Sequence, residues 1–435
     1  MSARQKLIIT ETEPTPIVKD FMTFAAYAEK NEILLTKTQG WLPRKVLQSI
    51  NALMTEPEPE VTAYSDQNAY PLLALFHNLA LAAKLFRTEP HPSGKQRLLP
   101  TERLPLFYSL NPTEKYISLL EAFWVDADWS AMTMNNYRNG PSIEVRMVFE
   151  YLENLPPGNT IDVSSGAGKQ LANLLWRWGY FVHYFRYFGF WETTKDKEAS
   201  MRFLSKFAYP LKTLTPSPLF YKLCTELNRS RDFEIWNLSL RREAGDWRGV
   251  PGEPLWEDED EDEDADADAD EWVEEDFAQS LVHLFPAGEL TQWLPRQTGE
   301  FFDGTYILQV AVRRNCWRRI RISSHSTLYD LHEAIQQAFD FDDDHLYAFF
   351  LDGKIWSTKR AFYSPDADDR PVVTEACLGE LELSIGQTFL YLFDFGDEWE
   401  FVVTVEDAGP IDSSQLQPQV IESEGAAPQQ YGDYY

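Results

Sequence analysis

Apolar residues recur at helical spacing through much of the first 240 positions. Over Trp41 to Met54, Leu42, Val46, Leu47, Ile50 and Leu53 fall on one stripe, and Pro43 suits the first turn of the helix they predict. Tyr70 to Phe86 is apolar almost throughout but contains His77, Asn78 and Lys84, so Pro71 to Leu85 reads as a buried helix and not as a membrane span of about 20 residues. Glu56 to Glu60 alternates Glu with Pro and breaks the chain between these helices. Phe86 to Glu89 and Lys95 to Leu99, separated by Pro92-Ser93-Gly94, predict a short hairpin, and Thr113 to Trp124 a further helix. Residues 1–20 carry few periodic apolar positions and read as an extended arm.

Helix, helix, hairpin, helix is the element order of a winged helix. A faint internal repeat extends the idea: Pro105-Leu106-Phe107-Tyr108-Ser109-Leu110 matches Pro218-Leu219-Phe220-Tyr221-Lys222-Leu223 at five of six positions. The reading is two winged-helix-like units, 21–125 and 140–250, set against the plainer one of a single irregular helical domain.

The period changes after Glu257 to Asp276, an acid-rich run that cannot bury a core and repels itself; it reads as a linker over 257–276. Beyond it, Tyr306, Leu308, Val310 and Val312 alternate with Ile307, Gln309 and Ala311, the pattern of a strand. Further strands are predicted at 317–322, 346–351, 389–393 and 401–405. A helix over 328–339 carries Leu328, Leu331, Ile335 and Ala338 on one face, with Thr327 placed to cap it and Asp330 three residues on. The expected architecture is multidomain: a mainly α N-terminal region and an α+β, β-grasp-like C-terminal domain over 277–430. A chain of 435 residues is too long for one ordinary core, which agrees.

Charge divides the chain the same way. The formal balance is +1 over residues 1–256, −15 over 257–276 and −16 over 277–435. An acidic tail repels a phosphate backbone, which leaves DNA binding to the front. There Lys84, Arg87, Lys95, Arg97 and Arg103 gather at the first hairpin, where a winged helix touches DNA; winged helices also dock proteins, so the partner expected for this region is DNA or protein. Cys224, Cys316 and Cys377 lie far apart and outside any CxxC arrangement, which excludes a disulfide scaffold or zinc finger. With no apolar leader in Met1 to Pro14 and no membrane span, the expected compartment is the cytoplasm.

Candidate chemistry concentrates in the tail. Asp394-Phe395-Gly396-Asp397-Glu398-Trp399 reads either as a tight turn or, with Asp342, Asp344 and His345, as a carboxylate-rich binding set; no cofactor is evident, and such oxygen ligands suit a hard divalent cation. The Asp-Phe-Gly string lacks the other kinase motifs, and Gly166-Ala167-Gly168-Lys169 lacks the rest of a phosphate loop and reads as a turn before a helix. His332 and His345 read as hydrogen-bonded structural histidines. Arg319 and Arg321 alternate outward, to pair with carboxylates such as Asp394 or Asp397.

Trp317-Arg318-Arg319-Ile320, Thr327-Leu328-Tyr329-Asp330-Leu331-His332 with Ile335, Ala338 and Phe339, His345-Leu346-Tyr347 with Phe349, and Tyr391 through Trp399 together resemble the plasmid pRiA4b Orf-three-like family, whose members are often labelled insertion-element passenger proteins of TnpR type. The resemblance spans about residues 300–430. It implies a small α+β domain near mobile elements, with no established activity and no recombinase site carried over. Phe401 departs from the pattern, which implies His two residues after the Trp. The function expected is a non-enzymatic binding or regulatory module; the alternative is a metal-dependent enzyme with its site on the tail.

Overall fold

The computed structural model describes the chain except residues 1–5, 134–143, 165, 167, 176–177, 196–210, 244–250, 253–275, 297–301, 358–359, 370, 384, 411–416 and 432–435. The chain divides into two compact units, Met1–Leu240 with Val250–Pro295, and Arg241–Gly249 with Arg296–Tyr435.

The first unit contains one architecture twice. In the first copy α1 (Ile17–Lys30), β1 (Ile33–Leu34), α2 (Arg44–Asn51) and α3 (Pro71–Ala82) precede a hairpin of β2 (Phe86–His91) and β3 (Lys95–Pro100), followed by α4 (Arg103–Ser109) and α5 (Pro112–Glu121). After the short α6 (Trp129–Met132), the second copy runs α7 (Val145–Glu153), β4 (Ile161–Asp162), α8 (Gly168–Leu175), α9 (Phe181–Tyr187), β5 (Trp191–Lys195), β6 (Leu211–Pro216) and α10 (Pro218–Arg229). The short helices α11 (Phe233–Trp236) and α12 (Leu238–Glu243) follow. Each three-stranded sheet places the last strand in the middle, β1-β3-β2 and β4-β6-β5.

The correspondence holds bond by bond. Lys84 and Gly189 both take positive φ, 53° and 80°, after the third helix of their copy. Around them the same bonds recur: Leu85 N donates to Ala80 O as Phe190 N does to Phe185 O, and Lys84 N to Leu81 O as Gly189 N does to Arg186 O. The Thr101 hydroxyl then donates to Lys84 O, and the Ser217 hydroxyl to Gly189 O, each at 2.6 Å. The registers Phe86 with Pro100 and Ile33 with Leu98 return as Trp191 with Pro216 and Ile161 with Leu214. Thr101 thus corresponds to Ser217, which puts the hexapeptide echo one helical turn, three residues, out of register with the structural repeat.

The two copies share one apolar core. α3 is apolar on every side, so no face suits water, and it packs against α9, the equivalent helix of the other copy. Each first helix supplies a Phe that meets two rings edge-on: Phe21 with Phe76 and Phe107, both at 5.4 Å, and Phe149 with Phe185 at 5.5 Å and Phe220 at 5.3 Å.

Several boundaries differ from the sequence reading. The arm over 1–20 is packed in part: Ile9 is buried, Leu7 N donates to Leu284 O, and α1 begins within the arm at Ile17, while Ile8 is exposed. Pro43 is the extended N-cap of α2, and Leu53, past its end, is exposed. Residues 277–295 lie in the first unit and not with the tail; Phe277, Leu281, Phe285, Leu290 and Leu294 are buried in its core. Most of the acid-rich run, 257–275, falls outside the described residues, but its flanks meet at one place. Gly252 N donates to Ile235 O, and a side chain on Gly252 would come within 2.5 Å of the Trp236 ring. Arg231 lies over that ring and donates from Nη2 to Asp276 O and from Nε to Phe277 O. These described flanks of the run pack on the first unit, and the linker expected over 257–276 otherwise lies outside the described residues.

The second unit is a seven-stranded sheet with one long helix. β7 (Gly304–Arg313) and β8 (Cys316–Ser323) lead into α13 (Leu328–Phe339), followed by β9 (Tyr347–Phe350), β10 (Ala361–Tyr363), β11 (Thr388–Phe393), β12 (Trp399–Pro410) and β13 (Gln419–Glu424). The order is β10-β9-β11-β12-β7-β8-β13, and every neighbouring pair is antiparallel. The α+β expectation holds, with the helix over the sheet, but two strands escaped the sequence reading: β10 is three residues long, and β13 is exposed along its length. Leu328, Leu331, Ile335 and Phe339 of α13 join Leu308, Val310, Ile320 and Phe401 of the sheet in one core. Ala348, Phe350, Ala361 and Leu392 form a second cluster, so all four residues of β9 are buried. Among the described residues, no helix is long and apolar enough to cross a membrane.

Burial pushes the pKa of His77, on α3, down to about 4, and its Nε2 has no partner among the described residues. The folded state holds this imidazole neutral while the unfolded chain takes up a proton near pH 6.5, so stability present above pH 6.5 is lost as pH falls towards 4, by about 3 kcal/mol at the lower end. His77→Leu should flatten the pH dependence of unfolding over that range, measured by denaturant titration; a slope equal to that of the parent would refute the assignment.

Candidate functional site

The side chains that cluster best in the second unit sit where α13 crosses β9 and β11. Thr327 and Asp330 form a reciprocal cap, the Thr327 hydroxyl accepting from Asp330 N and the Asp330 carboxylate from Thr327 N. This sets the phase of the helix, so Tyr329, His332, Glu333 and Gln336 follow one another along one face. Gln336 Nε2 donates to the Tyr391 hydroxyl at 2.7 Å, and that hydroxyl lies 2.7 Å from His332 Nδ1. With its oxygen accepting from Gln336, Tyr391 donates to Nδ1, which assigns the imidazole proton to Nε2. Nε2 lies 3.0 Å from Asp343 Oδ1, an ion-pair distance without a well-aligned hydrogen bond. The result is a chain of polar groups from the core to the surface, Gln336 to Tyr391 to His332 to Asp343.

Tyr347 covers the His332 ring face to face, with centroids 3.6 Å apart and planes 3° from parallel. His332 is fully buried, which lowers its pKa, while Asp343 opposes the shift. Burial raises the hydroxyls of Tyr391 and Tyr347, and the nearby Asp343 carboxylate pushes the same way. The sequence marks His332 as structural, and its bond to Tyr391 agrees. What the sequence did not show is that Tyr391, on a distant strand, completes the array.

Of the residues singled out from sequence, Asp344, His345 and Asp394 come together beside this array. His345 Nε2 is 3.6 Å from both Asp344 Oδ1 and Asp394 Oδ2. The Tyr431 hydroxyl donates to Asp344, which raises its pKa to about 12. Asp342 is held through its backbone: its N donates to Gln430 Oε1 at 2.6 Å, and Gln430 Nε2 donates to its O at 2.9 Å. Asp394 takes φ 57° and accepts from Gly396 N, closing the turn, while Asp397 is exposed and stands apart. Trp399 packs edge-on against Phe341, and Phe401 is a core residue against Phe339. Among the described residues, no group of three or more His, Cys, Asp or Glu side chains is arranged to hold a metal ion.

The arginines of β8 serve the sheet. Arg319 pairs with Glu422 on the neighbouring β13 and reaches past β7 to Glu406 on β12, not to Asp394 or Asp397, because strand order and register set what lies within its reach. Arg318 turns inward over the Phe339 ring and donates to Ala338 O at the end of α13 and to Glu424 O and Gly425 O.

The basic residues of the first hairpin differ in burial and pairing. Arg103 is buried, donating to Ala83 O and Pro295 O. Arg87 pairs with Glu89, and Arg97 with Glu89 and Glu32. Lys84 occupies the positive-φ turn, and Lys95 is exposed at the hairpin tip.

Comparison with known proteins bears on the second unit. Residues 307–432 match the plasmid pRiA4b ORF-3-like protein family. An uncharacterized protein, y4hQ, of Sinorhizobium fredii (strain NBRC 101917 / NGR234) is 29% identical over 115 residues, which is 26% of this chain and 56% of the relative. The chain therefore spans about half the length of that curated relative. The crystal structure of a protein of unknown function, MM3350 from Methanosarcina mazei Go1, is similar over 30% of this chain and 74% of that one, at 27% identity and a TM-score of 0.26. The polar array and the Asp344–His345–Asp394 group both lie inside the pRiA4b ORF-3-like region.

Two substitutions test these roles. Tyr391→Phe strands His332 Nδ1 and Gln336 Nε2 in the core, and should destabilise the second unit by about 2–4 kcal/mol in chemical denaturation. Arg103→Met should cost the first unit about 3 kcal/mol while Lys95→Ala changes almost nothing; equal melting of the two variants would contradict the buried-clamp role of Arg103.

Proposed function

We propose that the protein is a non-enzymatic binding module whose first unit consists of two fused winged-helix folds and engages a protein partner, not DNA. One observation carries this reading: α3 and α9, the third helices that a DNA-reading winged helix lays in the major groove, are buried and pack against each other. Two features support it. The near-neutral charge over 1–256 supplies little general attraction to phosphate, and Glu89 and Glu32 pair with the arginines of the first hairpin. The association with mobile elements rests on the family resemblance of the second unit alone.

Duplex binding by the intact chain decides between the two partners. Titration at low and at high salt should give no salt-dependent affinity, and Lys95→Ala with Arg97→Ala should change nothing. Affinity that falls steeply with salt and drops in the double variant would restore the DNA reading. Capture experiments should recover a polypeptide after nuclease treatment; a partner lost on that treatment would also restore it.

A further inference from the structure

Asp20 is a buried carboxylate that the packing of the first unit does not account for. It lies on α1 and is 2% exposed. Its Oδ1 accepts from Thr55 N at 2.9 Å and from the Thr55 hydroxyl at 2.7 Å, while Oδ2 has neither a hydrogen bond nor an ion pair among the described residues. Taking a carboxylate out of water costs free energy unless both oxygens are met, so the second one points to something that fills the space beside it. That space exists: Asp20 lines a cavity of about 70 Å³. One water takes about 10–15 Å³ of such space, so the cavity has room for a group larger than a single water. Its walls come from both copies, Pro14 to Ile17, Glu56 and Leu72 from the first and Arg186, Tyr187 and Glu192 from the second. The Thr15 hydroxyl donates to Tyr187 O at 2.6 Å and ties the two sides together. The cavity's guanidinium is already engaged, since Arg186 lies 2.8 Å from Glu56 and 3.8 Å from Glu192. Asp20 is left without a counter-charge in contact.

We propose that this cavity binds a primary ammonium group, Asp20 Oδ2 accepting one of its N–H bonds and the exposed carboxylates of Glu56 and Glu192 sharing its charge. An ammonium is a compact point charge with three donors and no acceptor, which suits a small space lined by three carboxylates and one guanidinium. Pro14, Pro16, Ile17 and Leu72 give the same cavity an apolar wall for the methylene stem behind the charge. A hard metal ion suits the site less, since it needs several oxygens converging at short range, and no such group of acids occurs among the described residues. The site is additional to the partner reading given above and stands whether that partner is protein or DNA.

A lysine side chain of a polypeptide and a free amine share this chemistry, and the test separates them. The intact chain is titrated by calorimetry in physiological salt at neutral pH with n-butylamine and with a blocked hexapeptide containing one lysine. The controls are n-butyltrimethylammonium, which has the charge but no N–H donor, and the same peptide with its lysine acetylated. Saturable one-site binding of n-butylamine, absent for both controls, is expected; binding of the lysine peptide as well assigns the site to a chain-borne lysine, and binding of n-butylamine alone assigns it to a free amine. Asp20→Asn should weaken binding on the order of tenfold and Glu56→Gln about threefold. Glu56 is exposed, so the second variant keeps the test open should the first fail to fold. The proposal is overturned if n-butylamine does not saturate, if the trimethylammonium control binds equally well, or if the folded variants bind as the parent does, any of which would leave the cavity to water.

Discussion

The first unit depends on two helices that cannot face water. α3 reads Pro71-Leu72-Leu73-Ala74-Leu75-Phe76-His77-Asn78-Leu79-Ala80-Leu81-Ala82, with apolar residues around the whole cylinder, and α9 carries Phe181, Val182, Tyr184 and Phe185 in seven residues. A helix that is apolar all round must be enclosed, and one three-helix copy with a small sheet offers cover on one side only. The second copy supplies the other side. The second copy thereby places the two equivalent third helices together within one shared core.

The repeat is written more clearly in backbone bonds than in side chains. At the turn after the third helix, one copy uses Gly189 and the other Lys84 in the same left-handed conformation, and the hydroxyl that binds the turn comes from Ser217 in one and Thr101 in the other. These pairs are chemically equivalent and look different as letters. The hexapeptide echo shows the reverse, with letters that agree at positions that do not correspond. Periodicity and the hairpin signal carry through to the structure because they express how much surface must be buried; the exact correspondence does not, because any apolar residue on the right face satisfies that need.

In the second unit the alternation of Tyr306 to Val312, the Thr327 cap and the apolar face of α13 were all legible, since each depends on neighbours within a few residues. The polar array was not. His332, Gln336, Asp343, Tyr347 and Tyr391 lie on four separate segments, and only strand order decides that Tyr391 on β11 sits beside Tyr347 on β9. The acid-rich turn was legible as a turn, Asp394 accepting from Gly396 N, but its letters do not show that Asp394 reaches His345 while Asp397 stays in solvent. Charge density along a chain says little about convergence in space.

The distribution of charge takes on another meaning once the acid-rich run is placed. The described residues on either side of the run, Gly252 and Asp276, both meet the first unit at Trp236 and Arg231. The first unit then has a near-neutral body with a dense negative segment attached, and the second unit is acidic in its own right. Both units repel phosphate at distances within a Debye length, about 8 Å at physiological ionic strength. The enclosed third helices and the charge balance are separate properties, one of packing and one of composition.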